Sequence, residues 1–135
     1  MQSSFDAWAA HAVATLTMTP GSDERAWCAL FGPGATYEDP VTGRTDDIAA
    51  VYAATRATFP DWQMAVGRAL GDGRGGVIEW TSSGHLPDGT AVILHACSVV
   101  ERAPSGEVVR WRDYFDMGEF MAQAAAHGAP PPPSP

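Results

Sequence analysis

The chain has 135 residues, 45% of them apolar, with five Trp and five Phe, which is one domain with a core and no room for a second. Sixteen acidic residues against eight basic ones give a net charge of −8, and this excludes nucleic acid and anionic membranes as natural partners, since both reward a basic face. Every basic residue is Arg, so Schiff-base chemistry and a phosphate-loop lysine are excluded as well.

The first predicted element is a helix over Ser4 to Thr17, with Phe5, Trp8, Ala9, Ala12, Val13 and Leu16 at helical spacing, and Pro20-Gly21 to end it. Ser22 and Asp23 open a second, shorter helix through Trp27, Cys28 and Phe31, closed by "GPG". An extended piece, "ATYEDP", follows; its alternation places Tyr37 and Asp39 on one side and Glu38 on the other. Asp39 before Pro40 also fits a plain turn starter. Thr45, Asp46 and Asp47 cap a third helix carrying Ile48, Val51, Tyr52 and Phe59, which Pro60 stops.

From Trp62 onward the pattern turns to β. Four runs, "WQMAVGRAL", "GVIEWTSSGHL", "TAVILHACSVVE" and "EVVRWRDYFD", are divided by "GDGRGG", "PDG" and "RAPSGE", the mark of an antiparallel meander. On the second run Trp80, Ser82 and Gly84 share a face. On the third, Val92, Leu94, Ala96, Ser98 and Val100 oppose Ile93, His95, Cys97 and Val99. Both of those faces are apolar, which points to a homodimer through the back of the sheet, or to the tail folding over it. On the fourth, alternation sends Val109, Trp111, Asp113 and Phe115 to one face and Arg110, Arg112 and Tyr114 to the other. With the opposite facing, Asp113 would be a surface ion-pair partner. A last helical stretch holds Phe120, Met121 and Ala124.

The layout is α+β: N-terminal helices packed on one face of a curved antiparallel sheet, enclosing an apolar pocket. Residues 1–128 are expected to form this single domain, and the proline-rich tail over residues 129–135 to be disordered. Cys28 and Cys97 read as reduced packing residues. His11, His85, His95 and His127 fall on flanks, loops, the sheet back or the tail. No run has the length of a membrane span and the start lacks a signal-peptide pattern, so a cytoplasmic protein is expected. The spacing of His, Cys and acidic residues gives no metal-ligand motif, and no glycine-rich fingerprint lies between a strand and a helix. Neither a metal nor a nucleotide cofactor is therefore expected.

The order of elements, "YEDPVTG" ahead of a helix and "WRDYFD" closing the last strand resemble the SnoaL-like branch of the nuclear transport factor 2-like superfamily, over roughly Phe5 to Ala124. That resemblance implies a cone-shaped α+β roll and relatives among polyketide cyclases, ketosteroid isomerases and limonene-1,2-epoxide hydrolases. Asp39 takes the place of the isomerases' proton-shuttling aspartate, while their oxyanion donors fall near Ala14 or Thr15 and at Ser98. Asp113 and Tyr37 match an acid and a water-holding tyrosine of the epoxide hydrolases, whose asparagine falls at Asp39 and whose arginine and second aspartate fall at Trp80 and Ser82. What remains is similar to the cyclases: two inward carboxylates, Asp39 and Asp113, in a cavity walled by Trp8, Trp62, Trp80, Trp111 and Phe115. Tyr37, Ser82 and Ser98 complete the expected substrate site. The expected function is a cofactor-free cyclase or isomerase for a hydrophobic polyketide- or terpenoid-like molecule, with Asp39 as base and Asp113 as acid or orienting partner. An epoxide hydrolase and a non-catalytic ligand-binding module are the alternatives.

Overall fold

The computed structural model describes residues 4–19 and 22–126. The expected break at Pro20-Gly21, His127 and the tail over 129–135 lie outside the described residues. Four helices, α1 (Ser4–Leu16), α2 (Glu24–Cys28), α3 (Ile48–Thr58) and α4 (Met117–Ala126), surround six strands: β1 (Phe31–Asp39), β2 (Gly43–Thr45), β3 (Gln63–Asp72), β4 (Gly75–His85), β5 (Ala91–Arg102) and β6 (Val108–Phe115). The second helix is shorter than its sequence pattern suggested, because Phe31 already belongs to β1. Asp23 caps α2 and Asp47 caps α3, each accepting from backbone N–H groups of the first turn.

All six strands form one sheet in the order β2-β1-β6-β5-β4-β3. The β3–β6 meander is antiparallel as its turns predicted, but β1 joins β6 in parallel, with Tyr37 opposite Trp111 and Glu38 opposite Arg112, so the sheet as a whole is mixed. This pairing positions the site. It lays the strand holding Tyr37 and Asp39 beside the strand holding Trp111 and Asp113, in matching register. The curvature has a local cause in β3: Val66 faces Trp80 and Arg68 faces Glu79, which leaves Gly67 as an extra residue that bends the strand.

A second bulge corrects the facing of Val109. Glu101 pairs with Arg110 and Arg102 with Val108, so Val109 has no opposite residue. The alternation therefore slips by one there: Val108 is fully buried and Val109 is 48% exposed, while Trp111 and Asp113 remain inward. Elsewhere the predicted faces hold, with Trp80, Ser82, Leu94, Ser98 and Val100 buried. The outward face keeps Val77, Ile93, Val99 and Val109 exposed.

The core lies between this inner sheet face and the helices. Phe5, Ala9, Ala12, Val13 and Leu16 of α1 are buried in it with Trp27, Val51, Tyr52 and Trp111. Gly84 lets the α3–β3 connection rest on the sheet: a Cβ there would meet Trp62, Asp61 and Phe59 atoms at 3.2–3.3 Å. Beyond the end of β6 the edge of β5 is completed by a side chain. Gln123 of α4 accepts from the Ile93 N–H at 2.7 Å and donates to the Ile93 carbonyl at 2.8 Å, standing in for a neighbouring strand. No helix among the described residues is long and apolar enough to cross a membrane.

Candidate active site

A cavity of about 150 Å³ opens between the inner sheet face and α3. Its sheet side is Tyr37, Asp39, Met64, Trp80, Leu94, Asp113 and Phe115; its helical side is Leu16, Val51, Thr55 and Phe59, with Trp62 and Phe120 of α4 completing the lining. Cavities of this size and lining suit a ring or two of apolar ligand.

The polar chemistry is concentrated at one end. Tyr37 and Asp39 alternate along β1, Trp111 and Asp113 along β6, and the parallel register brings all four together. The phenolic oxygen of Tyr37 lies 2.8 Å from Oδ2 of Asp39 and 2.6 Å from Oδ2 of Asp113. Oδ1 of Asp113 accepts from Ser98 Oγ at 2.5 Å and from the Trp111 indole N–H at 2.7 Å. Ser98 in turn accepts from the Trp80 indole N–H at 2.8 Å. Asp113 is only 6% exposed, and burial pushes its carboxyl up to about 6, against the lowering effect of the Ser98, Tyr37 and Trp111 hydrogen bonds and with a further upward push from Asp39. Burial, with the two carboxylates after it, also pushes the Tyr37 phenol well above its ordinary value. The tyrosine is therefore a neutral donor at any physiological pH.

Asp39 combines both roles its sequence allowed. Oδ1 accepts from the Val41 and Thr42 N–H groups at 2.8 and 2.6 Å, a turn of the kind an Asp-Pro step starts. Oδ2 faces Tyr37 and the cavity, with Thr42 Oγ1 at 3.3 Å. Asp39 is half-buried in the cavity lining, so the two acids differ in solvent contact. Among the described residues Asp113 has no arginine partner: Arg112 points outward and pairs with Glu38 at 3.3 Å.

Two of the expected wall residues are placed elsewhere. Trp8 packs on Phe5 and Trp111 with the Arg102 guanidinium over its ring at 4.4 Å, away from the cavity. Trp111 lies in the core against Trp27 and Phe31, and its contribution to the site is the indole N–H rather than a wall. Tyr37, Trp62, Trp80 and Phe115 do line the cavity, Ser98 lies behind Asp113, and Ser82 is buried beneath the floor. The α3 wall was missed by sequence reasoning, although Val51, Thr55 and Phe59 recur every fourth residue on one helix face. Val41, Thr42 and Phe120 had no such signal. Among the described residues no three His, Cys, Asp or Glu side chains come together to hold a metal ion.

A six-stranded mixed sheet curved over helices, with carboxylates at one end of an apolar cavity, defines the α+β cone class. The model of the SnoaL-like domain matches residues 1–111, and the chain belongs to that family. The match includes Tyr37 and Asp39 and ends two residues before Asp113. No curated protein matches the chain. Among solved structures, a protein of ketosteroid isomerase-like fold from Catenulispora acidiphila DSM 44928, in complex with trimethylamine, is 22% identical over 99% of this chain and 100% of its own, with a TM-score of 0.76. A protein described as a SnoaL-like polyketide cyclase from Jannaschia sp. CCS1 is 19% identical over 97% and 99%, with a TM-score of 0.72. An epoxide hydrolase of M. tuberculosis is 21% identical over 88% and 86%, with a TM-score of 0.67. At these identities the likeness is one of fold.

Proposed function

We propose that the chain is a cofactor-independent cyclase or isomerase that moves a proton on a hydrophobic, polyketide- or terpenoid-like small molecule. The observation that carries this reading is the position of the Tyr37 hydroxyl between two carboxyl groups, at one end of an apolar cavity. A phenol has one proton to donate, so the two contacts cannot both be hydrogen bonds unless a carboxyl supplies a second proton. Burial favours the neutral form of Asp113, and its Oδ1 already faces two donors, so in this reading the second proton sits on its Oδ2.

The array then has two settings. With Asp113 protonated, its Oδ2–H donates to Tyr37, and Tyr37 donates to Asp39, occupying the oxygen that faces the cavity. With Asp113 ionised, Tyr37 turns its proton to Asp113, and Oδ2 of Asp39, left with only the long Thr42 contact, can accept one from substrate. Asp39 is thus the base, and Asp113 orients Tyr37. A proton leaves a carbon next to a carbonyl for Asp39. The electron pair of that C–H bond becomes the C=C of an enolate or the new C–C bond of a ring, and the proton returns from Asp39 to the carbon or oxygen where charge has gathered. Nothing else is consumed. Proton transfer by one positioned group contributes about 10² to 10⁴ in rate, and apolar walls that hold a flexible chain in its reactive fold add to it.

The test is turnover of apolar ketones and polyketide-like candidates in heavy-oxygen water. An isomer or ring of unchanged composition, lost by about 10² to 10⁴ in Asp39→Asn, supports the reading. A diol carrying the heavy oxygen from an epoxide substrate would instead make the chain a hydrolase, the chemistry of its M. tuberculosis structural relative.

A further inference from the structure

Among the described residues the buried hydroxyls are bonded with one exception. Ser98 joins Trp80 to Asp113, Thr15 donates to the Ala12 carbonyl, and Thr90 donates to Asp88. Ser82 is 1% exposed, and its Oγ is the one buried side-chain polar atom among the described residues without a partner. Stripping water from a hydroxyl and giving nothing back is unfavourable, and alanine would fill the same space without that cost.

Its place gives the exception a meaning. Ser82 sits on the inner face of β4, between Met64 of β3 and Leu94 of β5 in the ladder, and both of these line the cavity, as does Trp80 two residues before it. Asp113, Ser98 and Ile78 form one cross-strand row at the carboxylate end. Ser82 lies four residues farther along β4, roughly 13 Å at the usual rise of a strand. Met64, an unbranched side chain with three rotatable bonds, is the neighbour best able to swing aside and uncover it.

We propose that Ser82 anchors the end of the substrate remote from the carboxylates, by donating a hydrogen bond to a carbonyl oxygen there. The substrate is then an elongated apolar molecule, its proton-bearing carbon at Asp39 and a second, unreactive oxygen acceptor at the Ser82 end. This rests on the cavity being the substrate site, as argued above, and adds the polarity of the substrate's far end.

The experiment compares two probes of one shape, 4-phenyl-2-butanone and 2-methyl-4-phenyl-1-butene, which differ as C=O against C=CH2. NMR titration of the wild type and of Ser82→Ala gives a ketone-to-alkene affinity ratio for each. The ratio is expected to fall about five- to tenfold in Ser82→Ala, the worth of one hydrogen bond, with alkene affinity unchanged. In the absence of probe the same substitution should leave the melting temperature equal or higher. An unchanged ratio overturns the anchor and leaves the acid–base reading standing. A lowered melting temperature also overturns it, since Ser82 would then serve the fold. If neither probe binds the wild type, the anchor falls together with the cavity as substrate site. Turnover that survives Asp39→Asn defeats the acid–base reading alone.

Discussion

Ser98 and Asp113 face each other across the β5–β6 ladder, and the serine hydroxyl donates to Oδ1 of the buried carboxyl. This bond stabilises the charged form of Asp113 and so opposes the effect of burial. Asp113 is also faced by the Trp111 indole, the Tyr37 hydroxyl and, through the latter, Asp39. Activity that needs Asp113 ionised should rise with pH through about 6. In Ser98→Ala that acid limb should move to higher pH while the plateau rate is kept. A pH–rate profile of the two proteins checks this; coincident limbs would mean that another group sets the limb.

Asp113→Asn provides the opposite setting. The Asn oxygen can accept from Ser98 and Trp111 while its amide donates to Tyr37, which copies the protonated acid at every pH. Tyr37 then donates permanently to Asp39, and turnover is expected to fall by about 10² or more with no pH dependence near 6. Adding Tyr37→Phe to this variant removes the blocking donor and should recover part of the rate. A double variant no faster than Asp113→Asn alone would reject the two-setting account.

Stability carries the same titration with a definite sign. The folded-state value for Asp113 is raised from 3.8 to about 6, so between these limits the folded protein holds a proton that the unfolded chain has lost. Stability is therefore full below pH 4 as far as this group is concerned and declines as pH rises through about 6, by about 3 kcal/mol for a shift of this size. Urea unfolding at several pH values should show this decline in the wild type and not in Asp113→Asn. The difference between the two proteins isolates Asp113 from the other carboxylates.

Gln123 provides a prediction about the α4 side of the cavity. Its amide is the partner of the Ile93 N–H and carbonyl, and it ties α4, which carries the cavity-lining Phe120, to β5. Gln123→Ala should cost about 1–2 kcal/mol, the order of two hydrogen bonds at a partly wet edge, and should speed amide exchange at Ile93 in hydrogen-exchange NMR. Trp8→Phe is the matching control: it should lower stability without altering probe binding, because Trp8 lies outside the cavity.

The sequence by itself determined the elements and their faces. Helical spacing marked α1 and α3, turn chemistry divided the meander, and alternation put Trp80, Ser82, Ser98, Trp111 and Asp113 inward. These signals are local, set by the period of each element and the residues that cap or break it. Tertiary structure decided what the inward residues do. The parallel pairing of β1 with β6 has no local signal, because its partners are far apart in the chain, yet it is what places Tyr37 between Asp39 and Asp113. The bulge at Val109 is equally a matter of pairing. Aromatic content could not say which tryptophans form walls: Trp62 and Trp80 line the cavity, whereas Trp8 and Trp111 pack in or around the core. That choice depends on where α1 crosses the sheet, a contact between distant segments that no single stretch of sequence contains.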